Sequence, residues 1–278
     1  MVDTIFRQGE TQTYTAEDNA TWARLYARMQ PQWKRYANAR YLEGIECLCF
    51  DPHRVPQLEE VNRFLCPRTG FRARAVGGYV PAFEFFDCLK NREFPTTITM
   101  RHPDQLDYLP EPDIFHDIVG HVPMHTDKAF AATLVRFGEC AHTAAERDPR
   151  VIASVIRAMA RFFWFTVEFG LMESPEGLKA YGSGLLSSHG ELAWSLTSPE
   201  VQRFPMQLEW VINQGFEIDH YQPLLFSVGG FEQLYDLVGM LEKWMREGRL
   251  DHVSGGEPGV NERDLESFLI SDIRPRFL

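Results

Sequence analysis

The sequence predicts a mainly α fold of α+β character, a single domain in which long helices carry small sheets of short strands. Three observations carry that expectation. Apolar residues recur at helical spacing through several long stretches, strand-like runs are short, and no strand–helix–strand alternation marks a doubly wound sheet.

In chain order, Thr15 and Asp18 stand as caps ahead of Trp22, Leu25, Tyr26 and Met29, spaced i, i+3, i+4, i+7. Leu58, Val61, Phe64 and Leu65 form a second stripe, closed by Pro67 and Gly70. Within residues 131–146, Leu134, Phe137, Ala141 and Ala144 share one side. Residues 149–170 read as one long helix ending on Gly170, a residue suited to the left-handed position that closes helices. Residues 231–246 read as a last long helix through Leu234, Leu237, Val238 and Leu241. Residues 215–218 and 224–228 read as strands. Strand alternation over residues 45–50 would set Cys47 and Cys49 on one face.

Composition excludes several classes. Hydrophobic residues make up 44% of the chain and charged residues 24%, the balance of a globular domain and not of a disordered one. A formal net charge of -11 would repel a phosphate backbone, so nucleic acid is not an expected partner. No apolar run approaches the roughly 18 residues needed to cross a membrane, and the start lacks the basic-then-apolar signal pattern. A cytoplasmic protein acting on a small molecule, monomeric and forming one domain over residues 1–278, is the expectation. Five cysteines without a Cys-x-x-Cys pair point to reduced thiols, mostly buried, and away from a disulfide framework or a thiolate zinc site. Phosphate-cradling glycine motifs are absent.

The chemistry gathers between residues 101 and 191. His116 and His121 sit in the run Pro-Glu-Pro-Asp-Ile-Phe-His-Asp-Ile-Val-Gly-His-Val-Pro, residues 110–123. On a regular helix their spacing sets them ~140° apart, so they meet one ion only if the helix ends or distorts near Gly120. The zinc-protease pattern needs an i, i+4 pair with a Glu between, and Asp117 stands in that Glu's place. A third ligand is available in Glu168, a lone carboxylate inside the aromatic run Trp164-Phe-Thr-Val-Glu-Phe-Gly170, where burial is costly unless a cation meets it. Two His and one carboxylate suit both a facial-triad iron(II) oxygenase and a hydrolytic zinc site, the latter with Asp117 as its nearby general base. Phe162, Phe163, Trp164, Phe165 and Phe169 around Glu168 suit a dry site and an aromatic substrate. Arg101, oriented by Asp113, could grip a carboxylate through its planar fork.

The run 110–123, the run 164–171 and the run Lys-Ala-Tyr-Gly-Ser-Gly-Leu-Leu-Ser-Ser-His-Gly-Glu-Leu at 179–192 together resemble the pterin-dependent aromatic amino acid hydroxylases. Residues 69–78 and Tyr221-Gln-Pro-Leu224 add to the resemblance, which extends from about residue 60 to 240. It implies the family's catalytic domain alone, without a regulatory domain or a tetramerisation helix. It implies iron(II) held by His116, His121 and Glu168, a tetrahydropterin, and dioxygen as cosubstrate. Arg101 and Asp113 match the clamp on the amino-acid carboxylate. Leu109, Pro112, Trp164, Phe169, Gly184, Ser187 and Ile218 match the substrate pocket, with Ser187 also supporting His116. Phe85 matches the ring that stacks on the pterin, and Gly78, Tyr79, Val80, Asp117 and Ala160 match the rest of that site.

Four positions depart from the family's usual residues: Leu109 for a Thr, Phe163 for a Tyr near the iron, and Tyr79 and Val80 for leucines. Ile218 stands where the family's tyrosine enzymes carry an acid, and Trp164 where its tryptophan enzymes carry a smaller Phe. The resemblance therefore implies hydroxylation of L-phenylalanine to L-tyrosine. Hydroxylation of tryptophan at its 5-position, or of phenylalanine at the meta carbon, stands as the alternative, and the zinc hydrolase is a remote one.

Overall fold

Thr15 opens helix α1 (Ala16–Tyr36) with reciprocal hydrogen bonds: its hydroxyl accepts from the Asp18 amide while the Asp18 carboxylate accepts from the Thr15 amide. The predicted stripe then buries Trp22, Leu25, Tyr26 and Met29, and Trp33 extends it. The computed structural model describes residues 12–77, 80–107, 109, 111–148 and 150–256. Helix α2 (Ala39–Leu48) and helix α3 (Leu58–Thr69) follow. Strand β1 (Arg72–Val76), helix α4 (Ala82–Lys90) and strand β2 (Glu93–Thr97) come next, and β1 pairs with β2 in parallel.

A loop then leads into a π-helical segment (His116–His121), followed by α5 (Val122–His125) and α6 (Lys128–Arg147). Helix α7 (Ile152–Phe163) runs straight into a second π-helical segment (Trp164–Glu168). Strands β3 (Leu171–Ser174) and β4 (Gly177–Ala180) form a hairpin. Helices α8 (Ser183–Ser187) and α9 (His189–Thr197), strand β5 (Gln202–Pro205), helix α10 (Leu208–Asn213), strand β6 (Leu224–Val228) and helix α11 (Phe231–Arg246) complete the elements among the described residues. The second sheet has the order β4-β3-β6-β5.

One hydrophobic cluster reaches from Trp22 to Val253. Its inner part is an aromatic ladder that ties α4 to α6 and α7: Phe86 stacks on Phe137, and Phe137 on Phe162. Helix α7 is thereby held against α4 and delivers its C-terminal π-helical segment to the site.

The mainly α expectation holds, and α11 occupies the predicted residues. Several expectations are corrected. Helix α3 continues through Pro67 and closes at Gly70, which takes the left-handed conformation. Residues 215–218 form no strand, although Leu224–Val228 does. Two strand–helix–strand units exist after all, through α4 and through α10. Their strands are only four or five residues long and partly charged, so no alternating pattern showed. Residues 45–48 belong to α2, and Cys47, Cys49 and Cys66 are exposed, so three of the five thiols do not pack as small hydrophobes. The helix read over 149–170 is regular only over α7. Gly170 closes no helix in left-handed form, and Pro149 lies outside the described residues. The Gly-rich run 254–261, which the sequence predicts as a surface loop, lies outside the described residues from 257 onward.

Candidate active site

The His116–His121 spacing is resolved by the π-helix. Its wider turn bonds i to i+5, so residues five apart return to nearly the same face. The distortion expected near Gly120 is therefore present, but as a widened turn and not as a helix end. Gly120 serves a different purpose: a Cβ there would lie 2.7 Å from the Ser183 carbonyl, so glycine lets α8 approach the π-helix. The second π-helical segment ends on Glu168 and turns its carboxylate toward the two rings. His121 Nε2 lies 3.2 Å from Glu168 Oε1 and 3.2 Å from His116 Nε2, while His116 Nε2 lies 3.6 Å from Glu168 Oε2.

Helix α8 fixes this donor set from behind. The Ser187 hydroxyl donates to the Ser183 carbonyl at 2.8 Å, so its oxygen accepts from His116 Nδ1, also at 2.8 Å. His116 is thereby the Nδ1–H tautomer, and its Nε2 lone pair faces the other donors. Ser183, four residues earlier on the same face, donates to Glu168 Oε2 at 2.7 Å. Burial pushes the His116 imidazole down to about 4, against the pull of Glu168, so the ring is neutral. Burial opposes ionisation of Glu168, but His121, His116 and the Ser183 hydroxyl together hold its carboxyl at about 2. Two nitrogens and a carboxylate converging in a buried site, their donor atoms within 4.8 Å of one another, fit one divalent cation.

Beside this set opens a cavity of about 380 Å³. His116, Glu168 and Arg101 all line it. Asp113 grips Arg101 with both oxygens, accepting from Nε and Nη2 at 2.8 Å each, and both side chains are 3% exposed. Burial raises the Asp113 pKa, yet the guanidinium overcomes it and holds the carboxyl below its ordinary value. This leaves Nη1 of Arg101 to meet an incoming carboxylate. Much of the remaining lining is apolar: Trp164 lies 4.4 Å from Phe169 between ring centroids, and Leu109, Pro112 and Ile218 also line the cavity. Phe85, edge-on to Phe163 at 5.4 Å, lines the wall nearest α4, with Val80 and Ala160 beside it. Gly184 admits the Phe169 ring, which would lie 2.6 Å from a Cβ there.

Three predicted site residues do not line the cavity: His121, which meets it only through the donor set, Asp113 and Asp117. Asp113 reaches the cavity only through Arg101. Asp117 is buried, its carboxylate accepts from the Thr97 amide at 2.6 Å, and burial raises it to about 7. Asp117 does not line this cavity, but its carboxylate lies near enough to His121 and Glu168 to feel both. Gly78 and Tyr79 lie outside the described residues. Sequence reasoning missed Phe216, which stacks on Trp164 at 4.2 Å and 8°, and Glu191, a buried acid on the cavity wall raised to about 7 by burial. It also missed Ser183, which the i, i+4 spacing to Ser187 could have revealed.

Comparison with known proteins agrees with this geometry. The family of biopterin-dependent aromatic amino acid hydroxylases matches residues 4–247, a wider span than the motifs alone suggested. The phenylalanine-4-hydroxylase of Chromobacterium violaceum is 40% identical over 223 residues, 80% of this chain and 73% of that protein. The tyrosine 3-monooxygenase of Rattus norvegicus is 39% identical over 228 residues, 80% of this chain but 44% of that protein. A crystal structure of the Chromobacterium violaceum phenylalanine hydroxylase with iron and phenylalanine bound superposes with a TM-score of 0.80 at 33% identity, covering 95% of this chain and 94% of that one. With the fold, the motifs and the family match in agreement, the chain belongs to the biopterin-dependent aromatic amino acid hydroxylases.

Proposed function

We propose that this enzyme hydroxylates L-phenylalanine at the para carbon, using iron(II) at His116, His121 and Glu168, a tetrahydropterin against Phe85, and dioxygen. The observation that carries the reading is one cavity joining a three-donor metal set to a free edge of Arg101 across an apolar wall. Iron and pterin supply the activation of dioxygen. The chain supplies the rest. Arg101 binds the substrate carboxylate, Trp164 and Phe169 flank the ring, and the aromatic lining excludes water. The Ser187 oxygen keeps the His116 proton on Nδ1, so Nε2 is free to bind metal. The Ile218 side chain offers a ring hydroxyl no hydrogen-bonding group, which disfavours tyrosine. One contiguous core supports reading the chain as a single catalytic domain.

The test is to incubate iron-loaded protein with tetrahydropterin and phenylalanine, tyrosine or tryptophan, and to separate products by chromatography against standards. para-Tyrosine from phenylalanine should dominate. Dominant 5-hydroxytryptophan or meta-tyrosine would replace the substrate assignment, and full turnover by zinc-only protein would remove the oxygenase reading itself.

Phe85→Ala is expected to weaken tetrahydropterin binding about tenfold while leaving iron content unchanged, because a stacking face is lost away from the metal donors. Calorimetric titration with the pterin under dinitrogen, beside metal analysis, checks both halves. Unchanged pterin affinity would move the pterin elsewhere in the cavity.

A further inference from the structure

Trp164 forms part of the cavity wall, yet the residue that holds its indole lies outside the cavity. Gln222 is 4% exposed and its side-chain oxygen accepts the Trp164 Nε1–H at 3.1 Å. Its side-chain nitrogen donates to the Glu217 carbonyl at 2.9 Å and to the His220 carbonyl at 3.2 Å. These partners leave the amide one orientation. An indole N–H only donates and carbonyls only accept, so a flipped amide would oppose donor to donor and acceptor to acceptor. The backbone amide of Gln222 donates in turn to Glu191 on α9, at 2.7 Å.

The two side-chain contacts act on the same pair of rings. Phe216 stacks on Trp164 at 4.2 Å and 8°, and it sits at the start of the loop that Gln222 ties down through Glu217 and His220. Trp164 is also the first residue of the π-helical segment that ends on Glu168. One buried amide therefore holds an indole that flanks the cavity and the loop that brings a second ring against it, with α9 as its anchor.

We infer that Gln222 is a positioning residue that sets the Trp164–Phe216 stack and through it determines which aromatic ring the cavity accepts. This deepens the proposed function and rests on that reading for the identity of the substrate.

The test is a double-mutant cycle of Gln222→Met with Trp164→Phe. Gln222→Met keeps bulk but neither accepts from the indole nor donates to the loop. In the native background it should raise the KM for phenylalanine about tenfold, the worth of one ordinary hydrogen bond. Relative tryptophan turnover should rise, kcat should change less than KM, and iron content should stay level. In the Trp164→Phe background, where no N–H is present, Gln222→Met should shift KM far less. Near-ultraviolet circular dichroism reads the same stack without turnover: Gln222→Met should lose aromatic signal only where Trp164 is present. Gln222→Glu, when protonated at acidic pH, keeps an acceptor for the indole and one donor for the loop carbonyls, and there should preserve more of the phenylalanine preference than Gln222→Met. Equal effects of Gln222→Met in both backgrounds, no effect in either, or failure of both Gln222 variants to fold would overturn the inference. If native protein hydroxylates no aromatic amino acid, the proposed function fails, while the dichroism cycle still decides the role of Gln222.

Discussion

Glu168→Ala is expected to abolish iron binding and to lower hydroxylation by at least about a thousandfold, the loss of a contribution of several kcal/mol to the barrier. The residue is the only anion of the donor set, and its carboxyl is held ionised by His121, His116 and the Ser183 hydroxyl despite burial. Removing it leaves two imidazoles without an anion in a buried site, too little to hold a divalent cation against water. His116→Ala and His121→Ala should lose iron to a similar degree. Each variant should still fold, because the surrounding core is built from Phe115, Ile118, Val119 and Phe165 and not from the donors. Ser187→Ala is the graded control. It removes only the acceptor that fixes the His116 tautomer, and its loss should be about ten- to a hundredfold in metal affinity. Metal analysis after anaerobic iron loading, with far-ultraviolet circular dichroism on the same samples, reads all four. A Glu168→Ala protein that retains stoichiometric iron would remove the assigned centre.

How much of this centre was legible in the sequence depended on the physics of each part. The long helices showed because packing against one core imposes a 3.6-residue period, as Leu234, Leu237, Val238 and Leu241 illustrate. The donors His116, His121 and Glu168 showed because a lone carboxylate among aromatics and a five-residue His spacing both call for an explanation. The π-helices did not show, since no residue pattern encodes an i to i+5 turn; only the requirement that two histidines meet implied a distortion. The Asp117 role was carried by likeness of position alone, since the contact that holds its carboxylate, from the Thr97 amide on a neighbouring strand end, leaves no mark in the sequence. Phe216 and Gln222 were hidden for a related reason. Both act from a loop whose run of Gly, Phe, Glu and Ile imitates a strand, and their partners lie on α7's extension, some fifty residues away in sequence.

The carboxylate clamp carries the second large effect. Arg101→Lys retains the charge but cannot engage Asp113 with two parallel bonds and still present a third nitrogen to substrate. The KM for phenylalanine should rise about a hundredfold, the worth of a lost charge-assisted, bidentate arrangement in a dry site. Asp113→Asn tests the same unit from behind, and its consequences reach further than Arg101. Asp113 accepts from the Arg101 backbone amide at 3.0 Å, from Nε and Nη2 at 2.8 Å, and from the His116 backbone amide at 2.9 Å. The last of these anchors the start of the first π-helix, so one carboxylate sets both the substrate clamp and the first metal donor. An Asn there can accept on one side only and must turn its NH₂ toward a donor on the other. Asp113→Asn is therefore expected to raise KM as Arg101→Lys does and, unlike it, to loosen iron as well. Anaerobic phenylalanine titrations of the iron-loaded variants, paired with metal analysis, separate the two. Wild-type phenylalanine affinity in Arg101→Lys would remove the clamp. Unchanged iron affinity in Asp113→Asn would confine Asp113 to orienting Arg101, the narrower role that the sequence alone suggests.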